Sequence, residues 1–296
     1  LGHTAFSHLG DEIDGVEDHV IRTTNIISNT ELSDIISNEG LNPNEVNQII
    51  RGNHKLDSLV SGDLDGDRLD YLVRDAHYTG VSTGVDMGRL ITTMSMHDSN
   101  LVIKEKGLPA VEALLTARST MYQTVYFHSF ARGAQLMLAR AANYAISSGK
   151  FSINDFVTFT DHKFLSELNE AGSLSSKLCS NFENRKIVKR AVSITKEQIE
   201  FSGLEKSKKK EYEASIASKV GIDNSEIYVD IPSFSVMPGL KTKILKNDGM
   251  VSFARDESKL VSSLYEAQFD HWRCSVYGPS ELRDEISAVS KTVLGV

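Results

Sequence analysis

From residue 1 to about residue 150, apolar side chains recur at intervals of three and four, and only Pro43 and Pro109 interrupt the run. That spacing gathers apolar residues on one face of a helix; a strand would need alternation at every second residue. The stretch is therefore expected to be almost wholly helical, cut by short polar breakers. Asn29-Thr30-Glu31, Asn38-Glu39-Gly40 and Asn42-Pro43-Asn44-Glu45 read as helix ends and N-caps, where Asn or Thr oxygens can satisfy open amide groups. A long helical run is expected from Pro109 to Ser147, closed by Ser148-Gly149. Shorter helices should follow over 151–220, with caps at Ser152-Ile-Asn-Asp155 and Thr160-Asp161. The span 193–220 is strongly charged and expected to be exposed.

The pattern then changes. Glu226-Ile-Tyr-Val-Asp230, Lys241-Thr-Lys-Ile-Leu245, Met250-Val-Ser-Phe253 and Trp272-Arg-Cys-Ser-Val-Tyr277 have the β-branched and aromatic character of strands. Asn247-Asp248-Gly249 is a hairpin turn, because glycine accepts positive φ. Helices are expected over 256–268 and 279–293. The expected fold is mainly α: a helical core over 1–150, a helical extension over 151–221 and a small α+β module over 222–296. With 40% hydrophobic and 24% charged residues the chain can bury a core and stay in water. No apolar run approaches the roughly 20 residues that cross a bilayer, and no secretory signal pattern occurs. Cys179 and Cys274 form no CxxC pair, so neither a disulfide framework nor a cysteine-based zinc site is expected, and a reducing cytoplasm is the default compartment. The net charge of −8 argues against nucleic acid, which calls for a broad basic surface. A small phosphorylated ligand needs only a local cluster of cations.

Three clusters carry chemistry. In Ser61-Gly-Asp-Leu-Asp-Gly-Asp-Arg-Leu-Asp-Tyr-Leu-Val-Arg-Asp-Ala-His-Tyr-Thr-Gly80, a helix would put Leu69, Leu72, Val73 and Ala76 on one face. Asp67, Tyr71 and Asp75 would form a second row at i, i+4 and i+8 with Arg68 beside it, and Asp70 could pair with Arg74. Periodicity alone equally describes a solvated, salt-bridged face. At the start, His3, His8 and Asp11 place two imidazoles and a carboxylate within nine residues, suited to acid–base work or phosphate contact, though lone histidines are commonly structural. Arg118, Tyr122 and Tyr126 fall on one stripe with His128 near its end; aromatic stripes are usually core, and an arginine is awkward to bury there.

Together the clusters resemble HD-domain phosphohydrolases. Leu1-Gly-His-Thr-Ala-Phe-Ser-His8 is similar to the stretch that directly follows the family's His-Asp pair, and Asp63-Leu-Asp-Gly-Asp-Arg-Leu-Asp-Tyr-Leu-Val-Arg-Asp-Ala-His77 to the distal segment supplying its last metal-binding aspartate. Within the family the likeness is to deoxynucleoside-triphosphate triphosphohydrolases, including the sterile-alpha-motif/HD-domain enzyme of vertebrates, and the Arg118–His128 stretch fits that group. It covers residues 1–150 well and the remainder loosely.

The resemblance implies metal-dependent hydrolysis of deoxynucleoside triphosphates to deoxynucleoside and inorganic triphosphate, with a divalent ion (Mg, Mn, Fe, Zn or Ni) as cofactor. It gives Asp67 the role of metal ligand, His8 that of proton donor to the leaving 5′ oxygen, Asp11 that of its orienter, and His3 a phosphate contact. The family's next histidine falls at Val16, and His19, three residues on, is the residue that would substitute. Arg68 and Arg118 are expected on phosphate, Tyr71, Tyr122 and Tyr126 near the sugar, and Asp75 on the 3′ hydroxyl. Arg185 and Lys189 match positions where relatives bind an activating nucleotide between subunits, although an exposed basic helix turn explains them as well. A homodimer or larger assembly is implied. The chain begins at Leu1, and Leu1-Gly-His reads as the interior of an element. The remaining metal ligands would lie upstream of it, so the chain as written is expected to be inactive. Two alternatives stay open: an HD-family enzyme for another nucleotide or phosphate ester, and a nucleotide-binding regulatory protein without a metal.

Overall fold

The structure, a computed structural model, describes residues 1–7, 9–60, 62–98, 100–202, 204–232 and 242–296, with the backbone alone for 200–202 and 268–271. Three expectations fall elsewhere: His8, the opening Ser61 of the acidic segment, and Lys241 at the start of an expected strand lie outside the described residues. Helix accounts for 62% of the described residues, so the fold is mainly α with a small α+β part. The strands among the described residues are β1 (Met94–His97), β2 (Asn100–Lys104), β3 (Lys189–Thr195), β4 (Tyr228–Asp230), β5 (Lys243–Leu245), β6 (Val251–Phe253) and β7 (Arg273–Gly278). They form two sheets, ordered β1-β2-β5-β6 and β3-β7-β4. The strand-like stretches expected in 222–296 are thus shared between both.

The chain divides into two compact units. One comprises Leu1–Arg22, Phe127–Phe234 and Trp272–Val296. Its helical layer packs Leu9, Met137, Phe156, Phe164 and Leu168 into one buried cluster. Ser129–Ser147 is its longest helix, and Gly133 there lets the backbone approach closely, since a Cβ would stand 2.9 Å from the Val188 carbonyl oxygen. A second cluster sits under β3-β7-β4, where Ile194, Val229, Cys274 and Val276 meet Ile216 and Ile286 from the Lys209–Val220 and Arg283–Leu294 helices. Ser152 and Asp155 form the expected capping box, and the Thr160 hydroxyl caps the Asp161–Glu170 helix.

The other unit comprises Thr23–Tyr126 and Ser235–His271. Leu69, Leu72, Leu90, Ile103, Val111, Leu114 and Ile244 build its core from the Gly66–Thr79 and Leu108–Met121 helices and the four-stranded sheet. β5 and β6 are antiparallel around the expected Asn247-Asp248-Gly249 turn, with Gly249 at φ 86°.

Three expectations need correction. Met94–Lys104 lies inside the stretch expected to be helical and is a β1–β2 hairpin; β2 also pairs in parallel with β5, some 140 residues on, a contact no local period reports. Pro109–Ser147 is two helices rather than one. Leu108–Met121 passes into a π-helical turn at Tyr122–Tyr126, and His128, extended at ψ 133°, caps the next helix by accepting a hydrogen bond from the Phe130 amide at 3.3 Å. The span 193–220 is not wholly exposed, because β3 and the Lys209–Val220 helix bury Ile194, Ile216 and Ala217 beneath a charged outer face.

Candidate functional site

In the second unit the Gly66–Thr79 helix is the frame. Asp65 caps it, accepting the Arg68 amide at 2.8 Å, and Gly80 ends it in the left-handed conformation. Leu69, Leu72 and Ala76 are buried as expected, while Val73 is 40% exposed, because the packed stripe is narrower than the four positions that periodicity grouped. Asp70 pairs with Arg74. Asp67 stands exposed in the first turn. Arg68 folds back, donating through Nη1 to the Gly62 carbonyl and to Asp65. Asp65 is only 3% exposed, and burial raises its pKa even though the Arg68 amide and guanidinium work in the other direction.

Arg118 comes from the Leu108–Met121 helix and is 5% exposed. Its Nη1 donates to the Tyr71 hydroxyl at 2.6 Å and its Nη2 to the Tyr122 hydroxyl at 3.0 Å, with the guanidinium 4.6 Å from the centre of the Tyr122 ring. Its Nε is buried with no hydrogen-bond partner among the described residues, a costly state that a ligand oxygen would relieve. Tyr126 donates to Asp75 Oδ2 at 2.6 Å. Burial, and then the Asp75 carboxylate, raise the Tyr126 pKa far above that of an ordinary phenol; burial likewise raises that of Tyr71. The three rings meet edge-on, Tyr71–Tyr126 at 6.2 Å and Tyr122–Tyr126 at 5.0 Å. Thus Tyr71, Asp75, Arg118, Tyr122 and Tyr126 form one connected cluster. The family resemblance implies a phosphate contact for Arg118; in the structure its Nη donors go to two phenols.

A cavity of about 380 Å³ in the same unit is lined by Asp57, Ser58, Gly62, Asp63, Thr242 and Lys243, among others. Gly62, Asp63 and Leu64 of the acidic segment line it, but none of the lining residues is one to which the sequence assigns a role.

In the first unit, His3 stacks on His19 with ring centres 4.8 Å apart and planes 17° from parallel. His19 opens the His19–Asn29 helix, so the residue three positions past the family register does reach the His3 ring. The Ser7 hydroxyl lies 3.5 Å from His3 Nδ1. Phe6 and Ser7 are both left-handed, at φ 51° and 59°, in a turn bridged by Thr4 and Ser7. Such conformations cost non-glycine residues about 1–3 kcal/mol each and persist where the surroundings enforce them. Asp11 lies exposed in the Leu9–Glu12 3₁₀ turn. Next to it, Glu12 accepts from Arg132 at 2.9 Å, and Arg132 is also bidentate on Asp230 at 2.6 and 3.0 Å.

Sequence reasoning did not single out Asp65, Glu12, Arg132 or Asp230. The N-cap position of Asp65 was a readable signal; the Glu12–Arg132–Asp230 network joins residues more than 200 positions apart and left none. Arg185, at φ 57°, follows the Ser173–Glu183 helix and Lys189 opens β3, so the two do not share a helix turn, the helix having ended at Glu183 before either of them. Both are exposed, and the Lys189 ammonium lies 5.7 Å from the Phe130 ring centre.

Among the described residues no group of three or more His, Cys, Asp or Glu side chains is placed to hold a metal ion. Asp67 is a single hard-oxygen donor, where a divalent ion takes several. The described residues do not by themselves make a metal site. No described helix is long and apolar enough to cross a membrane.

Residues 85–296 match the family model described as the HD associated region. The uncharacterized protein YwfO of Bacillus subtilis (strain 168) is 28% identical over 321 aligned positions, covering 95% of this chain and 72% of that protein. The deoxynucleoside triphosphate triphosphohydrolase SAMHD1 homolog of Dictyostelium discoideum is 26% identical over 64% of this chain and 41% of its own length. The crystal structure of a phosphohydrolase of Bacteroides thetaiotaomicron VPI-5482 matches with a TM-score of 0.71 at 23% identity, covering 94% of this chain and 76% of that one, a likeness of fold. With well over half of its residues matched by that model, the chain belongs to the HD-associated-region family, within the HD-domain phosphohydrolase superfamily.

Proposed function

We propose that the protein containing this chain hydrolyses deoxynucleoside triphosphates to deoxynucleoside and inorganic triphosphate. The observation that carries the proposal is the Tyr71–Arg118–Tyr122–Tyr126–Asp75 cluster. Arg118 holds two phenols in place from below, and Tyr126 occupies one oxygen of Asp75, so the other can accept the 3′ hydroxyl of a sugar resting on the rings. Phenol rings beside C2′ disfavour a 2′ hydroxyl by volume and by leaving its hydrogen bonds unmade. Arg68, held at Nη1, keeps further donors for a phosphate oxygen. In the reaction, water attacks the α-phosphorus and the bond to the 5′ oxygen breaks. His8 gives that oxygen its proton, Asp11 orients His8, and His3, stacked on His19, contacts phosphate. Asp67 is assigned to a divalent cation; as the lone donor among the described residues it supports no step routed through the ion. The activity named for the Dictyostelium relative supports the choice of substrate. Arg185 and Lys189, both exposed, are assigned to an activating nucleotide between copies of the chain.

The test uses the full-length protein, including whatever precedes Leu1, with each nucleotide in turn and products resolved by phosphorus NMR. Inorganic triphosphate in equal amount to deoxynucleoside is expected. Orthophosphate instead would move the assignment to another HD-type phosphohydrolase. Tyr126→Ala should erode the preference for deoxy- over ribonucleotides by about tenfold or more; an unchanged preference counts against the sugar assignment.

A further inference from the structure

The Phe6–Ser7 turn has left-handed residues back to back without a glycine, one of them a bulky aromatic. Within the segment, Thr4 holds it: the Thr4 amide donates to the Ser7 carbonyl at 3.2 Å, and Thr4 Oγ1 accepts from the Gly10 amide at 3.0 Å. The remaining restraint comes from far along the chain. Asp161 Oδ1 accepts a hydrogen bond from the Phe6 amide at 2.7 Å, a charge-assisted length. The Phe6 ring meets Phe164 and Phe182 edge-on at 6.2 and 5.8 Å. Asp161 is the first residue of its helix, yet Thr160 already caps that helix, so the Asp161 carboxylate is left to engage the turn. On one side of the turn the Ser7 hydroxyl lies beside His3 Nδ1; on the other, Ser7 is joined directly to His8.

We infer that Asp161 is a positioning residue for the reaction proposed above: its carboxylate holds the strained Phe6–Ser7 turn in the conformation that presents His3 to the substrate. The inference rests on the phosphohydrolase reading for its catalytic consequence and on the Phe6 contact for its physical one. Phe164 and Phe182 fix where the ring sits, but only Asp161 binds the amide whose direction the left-handed φ sets. Relaxing the turn would misplace His3 without altering the tyrosine cluster, so turnover should suffer more than substrate affinity.

In the full-length protein, kcat should fall from the parent through Asp161→Asn to Asp161→Ala, by about tenfold to a hundredfold at the end of the series, with KM within about twofold. The carboxamide introduced by Asp161→Asn lacks the charge but keeps an acceptor, which sets the intermediate value. The limb of the kcat–pH profile that reports the proton donor should shift or flatten in Asp161→Ala. Unchanged kcat and pH profile in Asp161→Ala would overturn the inference, and so would a loss that merely follows a lowered unfolding temperature. Amide NMR separates this outcome from failure of the functional reading. The Phe6 amide should be shifted downfield and slow to exchange in the parent, and should lose both properties in Asp161→Ala. If no nucleotide is hydrolysed by the parent, the functional reading fails, and a Phe6 amide unaffected by the substitution would show that Asp161 does not hold the turn either.

Discussion

In the Thr23–Tyr126 unit, Asp67, Tyr71 and Asp75 sit one turn apart on a capped, regular helix, and Arg118 lies in the last turn of a second helix that runs on into the π-helical turn carrying Tyr122. In the other unit, His3 and Asp11 flank a left-handed turn and a 3₁₀ turn, shapes their own sequence does not favour. The first group is placed by helix period and needs only a core beneath it. The second is placed by distant carboxylates and cations: Asp161 on the Phe6 amide, and Arg132 between Glu12 and Asp230. The difference is one of where restraint comes from, and it sets where each group is vulnerable. Period-placed residues tolerate loss of a single partner, whereas tether-placed residues lose their geometry with one substitution elsewhere in the chain.

The largest effect follows from the most buried tether. Arg132→Met strips the buried Asp230 of its cation and leaves Glu12 with Lys209 alone at 3.8 Å, and should destabilise the fold by about 3–5 kcal/mol. Arg118→Met removes two hydrogen bonds to neutral phenols, which can turn to other partners, and should cost about 1–3 kcal/mol. Denaturant melts compare the two. Trp272, the chain's single tryptophan, reports on the unit containing Arg132, and circular dichroism reports on the helices of both. Arg118→Met as costly as Arg132→Met would dissolve the contrast between period and tether.

Acid gives a finer version of the same contrast. Burial works to raise the Glu12 pKa, but Arg132 and Lys209 outweigh it and hold the carboxyl below its ordinary 4.5. A group whose folded pKa is depressed stabilises the fold above its unfolded pKa and loses that contribution as pH falls through the folded value. The tryptophan-monitored midpoint should therefore fall as pH drops below 4.5. In Arg132→Met burial is left as the largest influence on Glu12, so acidification should relieve part of the damage. A midpoint in that variant that drops with pH as steeply as the parent's would mean Arg132 is not what holds Glu12 ionised.

The same division explains what the sequence revealed. The Gly66–Thr79 helix was legible because its cap, its period and its terminal glycine all agree, and Leu69, Leu72 and Ala76 are buried as the period requires. The Asn247–Gly249 hairpin was legible from turn chemistry alone. The β1–β2 hairpin was not: Leu101-Val102-Ile103 is an apolar run too short to tell strand from helix, and its deciding partner β5 lies far along the chain. β3 was hidden in a charged span, since an edge strand with one solvated face alternates polar residues with Val192 and Ile194. Of the candidate site, the acidic row and the Arg118 stripe were readable as rows, but not that Arg118 lies beneath the tyrosines. His19 was named as a substitute for the family's histidine, but its stacking on His3 was not readable, because that contact depends on the loop between them.

The smallest effect belongs to the contact that looks strongest on the helix itself. Asp70 and Arg74 make the i, i+4 pair that charge spacing foretold, yet their side chains are 56% and 60% exposed. Water screens such a pair and both side chains lose rotamer freedom to form it, so Arg74→Ala should change stability by about 0.5 kcal/mol or less. It should also leave turnover unchanged, because the exposed Arg74 guanidinium pairs with Asp70 and not with Tyr71 or Asp75. A melt and one steady-state assay decide this. A marked loss of kcat in Arg74→Ala would mean that Arg74 also touches the substrate, and the working row of this helix would have to be widened to include it.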